Sequence, residues 1–230
     1  MTAPTQPPTQ PPTATPIRCV CFDWGGVILA HCRSWGEACA AAGLPLREGW
    51  DAPERVTKRR ALNARFQRGQ IEPDAFFAAI EAANDGLYTA LETRTLHDAW
   101  LTGEYPGIAE VIRRLALVPD VETALLSNTN SEHWLRHIAA EGRDADFPTV
   151  ALLKHRHASH LLGAAKPDEA IYRAFERETG FRGPEVLFFD DLTENIAAAE
   201  RCGWRGALID HTGDTARQVE SALTSRGVFR

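Results

Sequence analysis

No stretch of the sequence approaches the roughly 18 continuous apolar residues of a membrane span, and the N-terminus has neither a basic start nor an apolar signal core. An excess of positive charge is also missing, since 25 lysines and arginines against 31 acidic residues give a net charge of -6. That balance disfavours binding to nucleic acid or to an anionic membrane. We therefore expect a cytoplasmic protein with a small-molecule partner, no nucleic-acid partner and no membrane partner.

Cysteine is scarce as well. The five cysteines are an odd number without paired zinc-ligand spacing. Cys19 and Cys21 lie two residues apart in an apolar run, so we interpret them as reduced thiols of the core, which agrees with a cytoplasmic location. The sequence gives no indication of the oligomeric state.

The length of 230 residues and the 44% hydrophobic content predict one domain with an insertion. Residues 1–16 contain only Thr, Pro, Gln, Ala and the initial Met, and we expect them to form a disordered tail. From about residue 33 to 102 the pattern is helical and shows no buried strand. Phe76, Phe77 and Ile80, for example, share one helical face.

After residue 104 the apolar pattern alternates between strands and helices. This alternation predicts an α/β fold, with a parallel sheet that carries helices on both faces. The short apolar runs predicted as strands lie at residues 18–22, 121–126, 150–153, 186–189 and 207–209. A helix is expected from about residue 131 to 140.

The clearest of these strands end in polar side chains. Asp23 follows the first strand, Ser127 ends another, and Asp190 and Asp191 follow a third. Ligands of such sheets gather at the carboxyl ends of the strands. A carboxylate such as Asp23 can attack phosphorus and form an aspartyl-phosphate. Asp23 and Asp191 would repel each other unless a cation lay between them, and Mg²⁺ prefers carboxylate ligands. We therefore predict that Asp23, Asp191 and Asp190 bind Mg²⁺.

A phosphate site also needs donors to the phosphoryl oxygens. Ser127 can donate its hydroxyl, and Lys166 can neutralise the charge that develops on the transferred group. Backbone N–H groups after Asp23 and near Asn128 add further donors. We therefore predict that Ser127, Asn128 and Lys166 bind the phosphate.

The chain contains four motif-like strings in order: FDWGGVI at 22–28, LLSNTN at 125–130, AKPDEAIY at 165–172 and FFDDLTENIAAAERCGW at 188–204. Together they resemble the ordered motifs of the haloacid dehalogenase superfamily, in its capped, phosphatase-like branch. The resemblance implies a Rossmann-like three-layer core over residues 17–30 and 104–230, and an inserted all-helical cap over residues 31–103.

The resemblance also implies a role for single residues. Asp23 is similar to the family nucleophile, Ser127 to the hydroxyl of the second motif and Lys166 to the lysine of the third. Asp191 is similar to the principal metal ligand. Asn195 falls where the fourth motif often has a polar residue that supports the ligands.

The chain departs from the family pattern at Gly25, where the family's phosphatases usually have a second Asp as general acid and base. Only the Gly25 backbone carbonyl remains, and we expect it to bind Mg²⁺. Loss of acid-base help costs about 10²- to 10⁴-fold in rate. The departure therefore favours substrates with easy leaving groups or a proton donor from elsewhere, for which His31 is a candidate.

The predicted function is a Mg²⁺-dependent phosphatase for a small phosphorylated metabolite, such as a sugar phosphate. Three alternatives remain open. A 2-haloacid dehalogenase also lacks the second Asp but needs no metal. A phosphonate hydrolase shares the FDWGG opening and would need a lysine from the cap, where Lys58 is the only one. A non-catalytic binding protein would explain Gly25 as a degenerate position.

Overall fold

The computed structural model of the protein describes residues 15–230, so nearly all of the predicted tail lies outside the described residues. The strands are β1 (Cys19–Phe22), β2 (Leu29–His31), β3 (Leu101–Glu104), β4 (Glu122–Ser127), β5 (His155–Ala158), β6 (Val186–Asp190) and β7 (Arg205–Leu208). The α-helices are α1 (Trp35–Ala42), α2 (Pro53–Phe66), α3 (Pro73–Ala83), α4 (Ala90–Asp98), α5 (Ile108–Leu115), α6 (Ser131–Trp134), α7 (Ser159–Leu162), α8 (Glu169–Thr179), α9 (Thr193–Arg201) and α10 (Thr215–Ser225). Within residues 15–230, no helix is both long and apolar enough to cross a membrane.

Five strands form a parallel sheet in the order β5-β4-β1-β6-β7. All four residues of the central strand β1 are buried, because alternate side chains of a strand point to opposite faces and both faces are covered. Val20 and Phe22 join an apolar cluster with α5 and α10. Cys19 and Cys21 join another with α8 and α9. The result is a three-layer α/β core, which confirms the predicted fold class.

The register of the sheet places the strand ends side by side. Phe22 is opposite Leu125 of β4 and Phe189 of β6. The residues that follow Phe22 and Phe189 therefore emerge next to each other at the carboxyl edge. This register brings Asp23 and Asp190 to one site.

The segment between β2 and β3 is a helical insertion, defined here as residues 32–100. Its helices α1 to α4 have apolar clusters of their own, one of which joins Phe66, Phe76, Phe77 and Ile80. β2 and β3 pair as an antiparallel ribbon at the base of the insertion. The sequence did not indicate this ribbon, because strands of three and four residues with mixed burial leave no alternating pattern.

Two local predictions were wrong. The apolar run at 150–153 belongs to a 3-10 helix, Pro148–Leu152, because Pro148 fixes a helical φ at the start. The strand comes next, as β5, an edge strand whose side chains are mostly polar. The helix expected from 131 to 140 ends at Trp134 and continues only as a 3-10 turn, Leu135–His137.

Candidate active site

Three carboxylates meet at the carboxyl edge of the sheet. Asp23 follows β1, Asp190 ends β6 and Asp191 is the next residue. Each offers a ligand oxygen, and these oxygens lie within 4.8 Å of one another. Mg²⁺ prefers oxygen ligands from one or two carboxylates with water completing the shell. The chemistry of this donor set therefore fits Mg²⁺.

Lys166 is buried between two of these carboxylates. Its Nζ lies 2.9 Å from Asp23 Oδ1 and 2.7 Å from Asp190 Oδ2. Burial alone lowers the pKa of Lys166, but the carboxylates of Asp190 and Asp23 outweigh this effect and raise it. The lysine is therefore charged and held against the candidate nucleophile.

The carboxyl of Asp23 is difficult to ionise in the chain alone. Its pKa is raised to about 7, mainly by burial and further by the carboxylates of Asp190 and Asp191, against the lowering effect of Lys166. The backbone N–H of Trp24 donates to Asp23 Oδ1 at 2.6 Å and fixes the orientation of the carboxylate. A cation beside Asp23 would favour the ionised form that a nucleophile requires.

Asp190 is held by several donors and is fully buried. Besides Lys166, the Asn195 side-chain amide lies 3.0 Å from both of its oxygens, and the backbone N–H of Leu192 donates to Oδ1 at 2.9 Å. Asp191 has fewer partners. Its Oδ2 accepts from the Arg33 guanidinium at 2.7 Å. Asp191 is thus the carboxylate of this pair with more free ligand capacity.

Gly26 has a role that the sequence reasoning missed. Its φ is +77°, and a Cβ on it would lie 2.3 Å from Asp191 Cγ and Oδ2. Only glycine allows both this left-handed backbone and the close approach of the carboxylate. The doubled glycine after Asp23 was the available signal, but a turn explained it equally well.

The space beside Gly25 is filled by His31. A Cβ at Gly25 would lie 2.8 Å from His31 Cδ2 and 3.0 Å from Nε2, so the imidazole occupies the region that a side chain at position 25 would enter. His31 Nδ1 lies 2.8 Å from the Cys32 carbonyl, to which it donates. Burial lowers the pKa of His31. The neutral ring therefore presents the lone pair of Nε2 toward Gly25.

The remaining predicted residues also lie at this edge. Ser127 is buried at the end of β4. The Asn128 side chain does not point free into the site, because it binds the backbone of Lys166 twice: Nδ2 donates to the carbonyl and Oδ1 accepts from the N–H, both at 2.8 Å. Asn128 thus fixes the position from which Lys166 reaches Asp23.

A chamber of about 740 Å³ lies between these residues and the helical insertion. Asp23, Ser127, Asn128 and Asp191 line it from the core. From the insertion, its lining includes Trp35, Trp50, Arg59, Thr93, His97 and Trp100. The size lies within the range of about 300–1,000 Å³ typical of small-ligand sites. Sequence reasoning placed aromatic residues in the insertion but could not say which of them face this space.

Comparison with known proteins agrees with the geometry. The model of the haloacid dehalogenase-like hydrolase family matches residues 17–203. A phosphatase of Mycobacterium tuberculosis is 37% identical over 72 residues, which are 31% of this chain. The match spans about a third of the length of that relative (33%).

Two solved structures share the fold. A HAD-like family hydrolase of Porphyromonas gingivalis has a TM-score of 0.70 at 23% identity, over 91% of this chain and 98% of that one. A HAD family enzyme of Bacteroides thetaiotaomicron, solved with magnesium and inorganic phosphate, has a TM-score of 0.67 at 20% identity, over 86% and 96%. The family model and the four motifs agree along most of the chain. The chain belongs to the haloacid dehalogenase-like hydrolase family.

Proposed function

We propose that the chain is a Mg²⁺-dependent phosphatase that hydrolyses a small phosphomonoester through an aspartyl-phosphate on Asp23. The observation that carries the proposal is the buried Lys166 ammonium, which lies 2.9 Å from Asp23 and 2.7 Å from Asp190 with Asp191 adjacent. A structural ion pair would not need a third carboxylate beside a chamber. A phosphoryl-transfer site needs all of these groups.

In the first step, Asp23 attacks phosphorus, and the bond from phosphorus to the ester oxygen breaks. Lys166 neutralises charge on the carboxylate and the transferred group, while the Ser127 hydroxyl donates to a phosphoryl oxygen. Asp23, Asp191 and the Gly25 carbonyl would hold Mg²⁺, which would supply Lewis-acid stabilisation of the phosphoryl oxygens when bound. Water then attacks the aspartyl-phosphate, which releases phosphate and restores Asp23.

Supporting residues keep this geometry. Asn195 and the N–H of Leu192 hold Asp190, which in turn holds Lys166. Asn128 fixes the Lys166 backbone. We assign these residues to positioning, because rigid placement of the groups is the main source of rate in phosphoryl transfer.

The names of two of the relatives favour the same reaction. The Mycobacterium tuberculosis protein is called a phosphatase, and the Bacteroides thetaiotaomicron enzyme holds magnesium with inorganic phosphate. The alternatives have less support. Lys58, the one lysine that a phosphonate hydrolase would use, is exposed and does not line the chamber. A dehalogenase needs no metal, so the acidic pair Asp190 and Asp191 favours the phosphatase over it.

The test is release of phosphate from aryl, alkyl and sugar phosphates, with Mg²⁺ or with chelator, by the native chain and by Asp23→Asn. We expect Mg²⁺-dependent release that the variant loses. Asp120→Asn is the matched control, because Asp120 is exposed in the turn before β4, at the opposite end of that strand from Ser127. Equal release by the native chain and Asp23→Asn would refute the assigned nucleophile.

A further inference from the structure

We infer that Arg59 and Arg60 form an anion-binding subsite in the chamber, so that the substrate is a phosphate monoester whose organic part carries a second anionic group. That group is a carboxylate or a further phosphate. This inference rests on the proposed phosphatase function and specifies its substrate class. Three features carry it: the polar face of α2, the lack of acidic partners for its arginines, and the fixed placement of Arg59.

One face of α2 lines the chamber with side chains that are mostly polar. The residues of this face are Val56, Arg59, Arg60, Asn63 and, directly after the helix, Gln67. Their spacing of three or four residues, with the two arginines adjacent, places them on one side of the helix. The inward face of a helix in a globular protein is normally apolar, because it packs on a core. This face is therefore suited to a polar ligand rather than to packing.

The two arginines lack acidic partners. Arg55, one turn earlier on the same helix, pairs with Asp85 at 3.1 Å. Within residues 15–230, the ion pairs of the insertion involve other arginines than Arg59 and Arg60. Asp51 is the one acidic residue of the insertion that lines the chamber, and it is exposed. The α2 side of the chamber is thus positively charged, although the chain as a whole has a net charge of -6.

Arg59 is held in place before any ligand binds. Its Nη1 donates to Asn84 Oδ1 at 2.7 Å, and its guanidinium lies 4.7 Å from the centroid of the Trp35 ring. A guanidinium has five N–H donors and binds a carboxylate or a phosphate with two of them side by side. The contact with Asn84 uses one donor, so others remain for a ligand at a fixed position on the chamber wall.

The charge of Arg59 favours an anion over a neutral polyol. Arg59 is partly buried, and burial and then the neighbouring Arg55 lower its pKa. The charged form is therefore less stable here than in water. A ligand hydroxyl could accept a hydrogen bond from Arg59 but would leave its charge unbalanced, whereas an anion would balance it. Asn63 and Gln67 still offer amide groups to hydroxyls of the same ligand.

The anion of this subsite is distinct from the transferred phosphoryl group. The charges that act most strongly on Asp23 are those of Lys166, Asp190 and Asp191, and no arginine of α2 is among them. In the proposed mechanism the transferred phosphoryl group binds at the core edge beside Asp23, whereas Arg59 is anchored within the insertion. The subsite therefore recognises another group of the substrate.

Turnover of matched esters tests the subsite. Two acids are compared with their neutral partners: 3-phosphoglycerate with glycerol 3-phosphate, and 6-phosphogluconate with glucose 6-phosphate. Fructose 1,6-bisphosphate is compared with fructose 6-phosphate. We expect the member with the second anion to have a kcat/KM about 10- to 100-fold higher in the acid pairs or in the bisphosphate pair, which tells a carboxylate from a phosphate. No preference in any pair would overturn the inference.

Substitutions on α2 assign the preference to its residues. Arg59→Gln should reduce the ratio of kcat/KM within the preferred pair by about 10- to 100-fold. Lys58→Gln is the matched control, because Lys58 is the preceding residue but is exposed and does not line the chamber. If Arg59 bound the transferred phosphoryl group instead, both members of the pair would lose kcat/KM equally, and the unchanged ratio would contradict the subsite.

A second variant covers the structural role of Arg59. Arg60 is exposed, and Arg60→Gln leaves the contact between Arg59 and Asn84 in place. The ratio within the preferred pair should fall in this variant as well. A native ratio in both Arg59→Gln and Arg60→Gln would reject the subsite.

Binding separates this inference from the proposed function. The same esters are titrated calorimetrically into Asp23→Asn with Mg²⁺, with and without Arg59→Gln. We expect the member with the second anion to bind more tightly, and Arg59→Gln to remove most of the difference. Hydrolysis of phosphate esters without such a preference would keep the phosphatase and reject the subsite. Tighter binding through Arg59 without hydrolysis of any ester would keep the subsite and reject the phosphatase.

Discussion

Substitution of Gly26 by alanine tests how the metal site is built. Gly26 has φ +77°, and its new Cβ would lie 2.3 Å from Asp191 Cγ and Oδ2. Ordinary contacts between carbon atoms begin near 3.5 Å, so the Asp191 carboxylate must retreat by roughly 1 Å. Protein ligands of Mg²⁺ must hold distances of about 2.0–2.1 Å with little tolerance. A retreat of that size removes Asp191 from the ligand set.

The expected magnitude has two parts. The left-handed backbone costs an alanine about 1–2 kcal/mol of folding free energy. Displacement of the ligand costs about 10- to 100-fold in Mg²⁺ affinity, the range seen when groups that orient metal ligands are lost. The loss of folding free energy is expected at any glycine with this backbone, whereas the loss of Mg²⁺ affinity is expected at Gly26 because of its contact with Asp191.

Gly43→Ala separates the two parts. Gly43 closes α1 with φ +67°, and a Cβ there would meet nothing within 4 Å. Both variants should lose similar stability in urea unfolding. Mg²⁺ affinity, measured by calorimetric titration, should fall only in Gly26→Ala. A Gly26→Ala protein that folds and binds Mg²⁺ as tightly as Gly43→Ala would refute the argument that the glycine makes room for Asp191.

Three further predictions concern folding and chemistry. Glu176→Gln should lower the free energy of unfolding by about 1–3 kcal/mol in urea titrations, because the buried carboxylate accepts from Trp204 Nε1 at 2.9 Å and an amide cannot replace both oxygens. Burial holds the pKa of His133 well below its ordinary value of 6.5. Below pH 6.5 this histidine is therefore protonated in the unfolded chain but stays neutral in the folded chain. Stability should therefore be present above pH 6.5 and fall on acidification by about 1.4 kcal/mol per pH unit from this group, and His133→Gln should make the slope shallower; an unchanged slope would count against it. Gly25→Asp alone should collide with His31, whereas Gly25→Asp with His31→Ala should raise kcat for alkyl relative to aryl phosphates, and a ratio equal to the native one would argue against acid catalysis from position 25.

The layered core was predictable because buried parallel strands leave short apolar runs that end in polar residues. The runs before Asp23, Ser127 and Asp190 were placed within one or two residues. The family motifs also pointed to Asp23 and Lys166, whose carboxylate oxygen and Nζ lie 2.9 Å apart in the structure. Both signals are local, since each strand and its terminal residue are contiguous in sequence.

Features that depend on distant contacts were not predictable. The paired strands β2 and β3 are short and their partners lie about 70 residues apart, so the sequence carries no pattern for them. The place of His31 beside Gly25 depends on that ribbon. In the sequence, Gly26 is explained by a turn alone. The other reason for a glycine there is the close approach of the Asp191 carboxylate, and Asp191 is remote in sequence. Thr93 and His97 gave no signal either, since a polar residue on a helix is normally solvated.

The charge balance of the site gives a reason to expect a divalent cation that is independent of any relative. Three carboxylates meet here, and one buried ammonium, Lys166, pairs with Asp23 and Asp190. The third, Asp191, pairs with Arg33, whose side chain is 29% exposed against 3% for the aspartate. A partly solvated guanidinium screens a buried carboxylate incompletely, and burying an unbalanced charge is costly. The chain therefore leaves negative charge incompletely compensated beside Asp23, the proposed nucleophile, and a cation held by Asp23 and Asp191 would supply the charge that the fold itself does not.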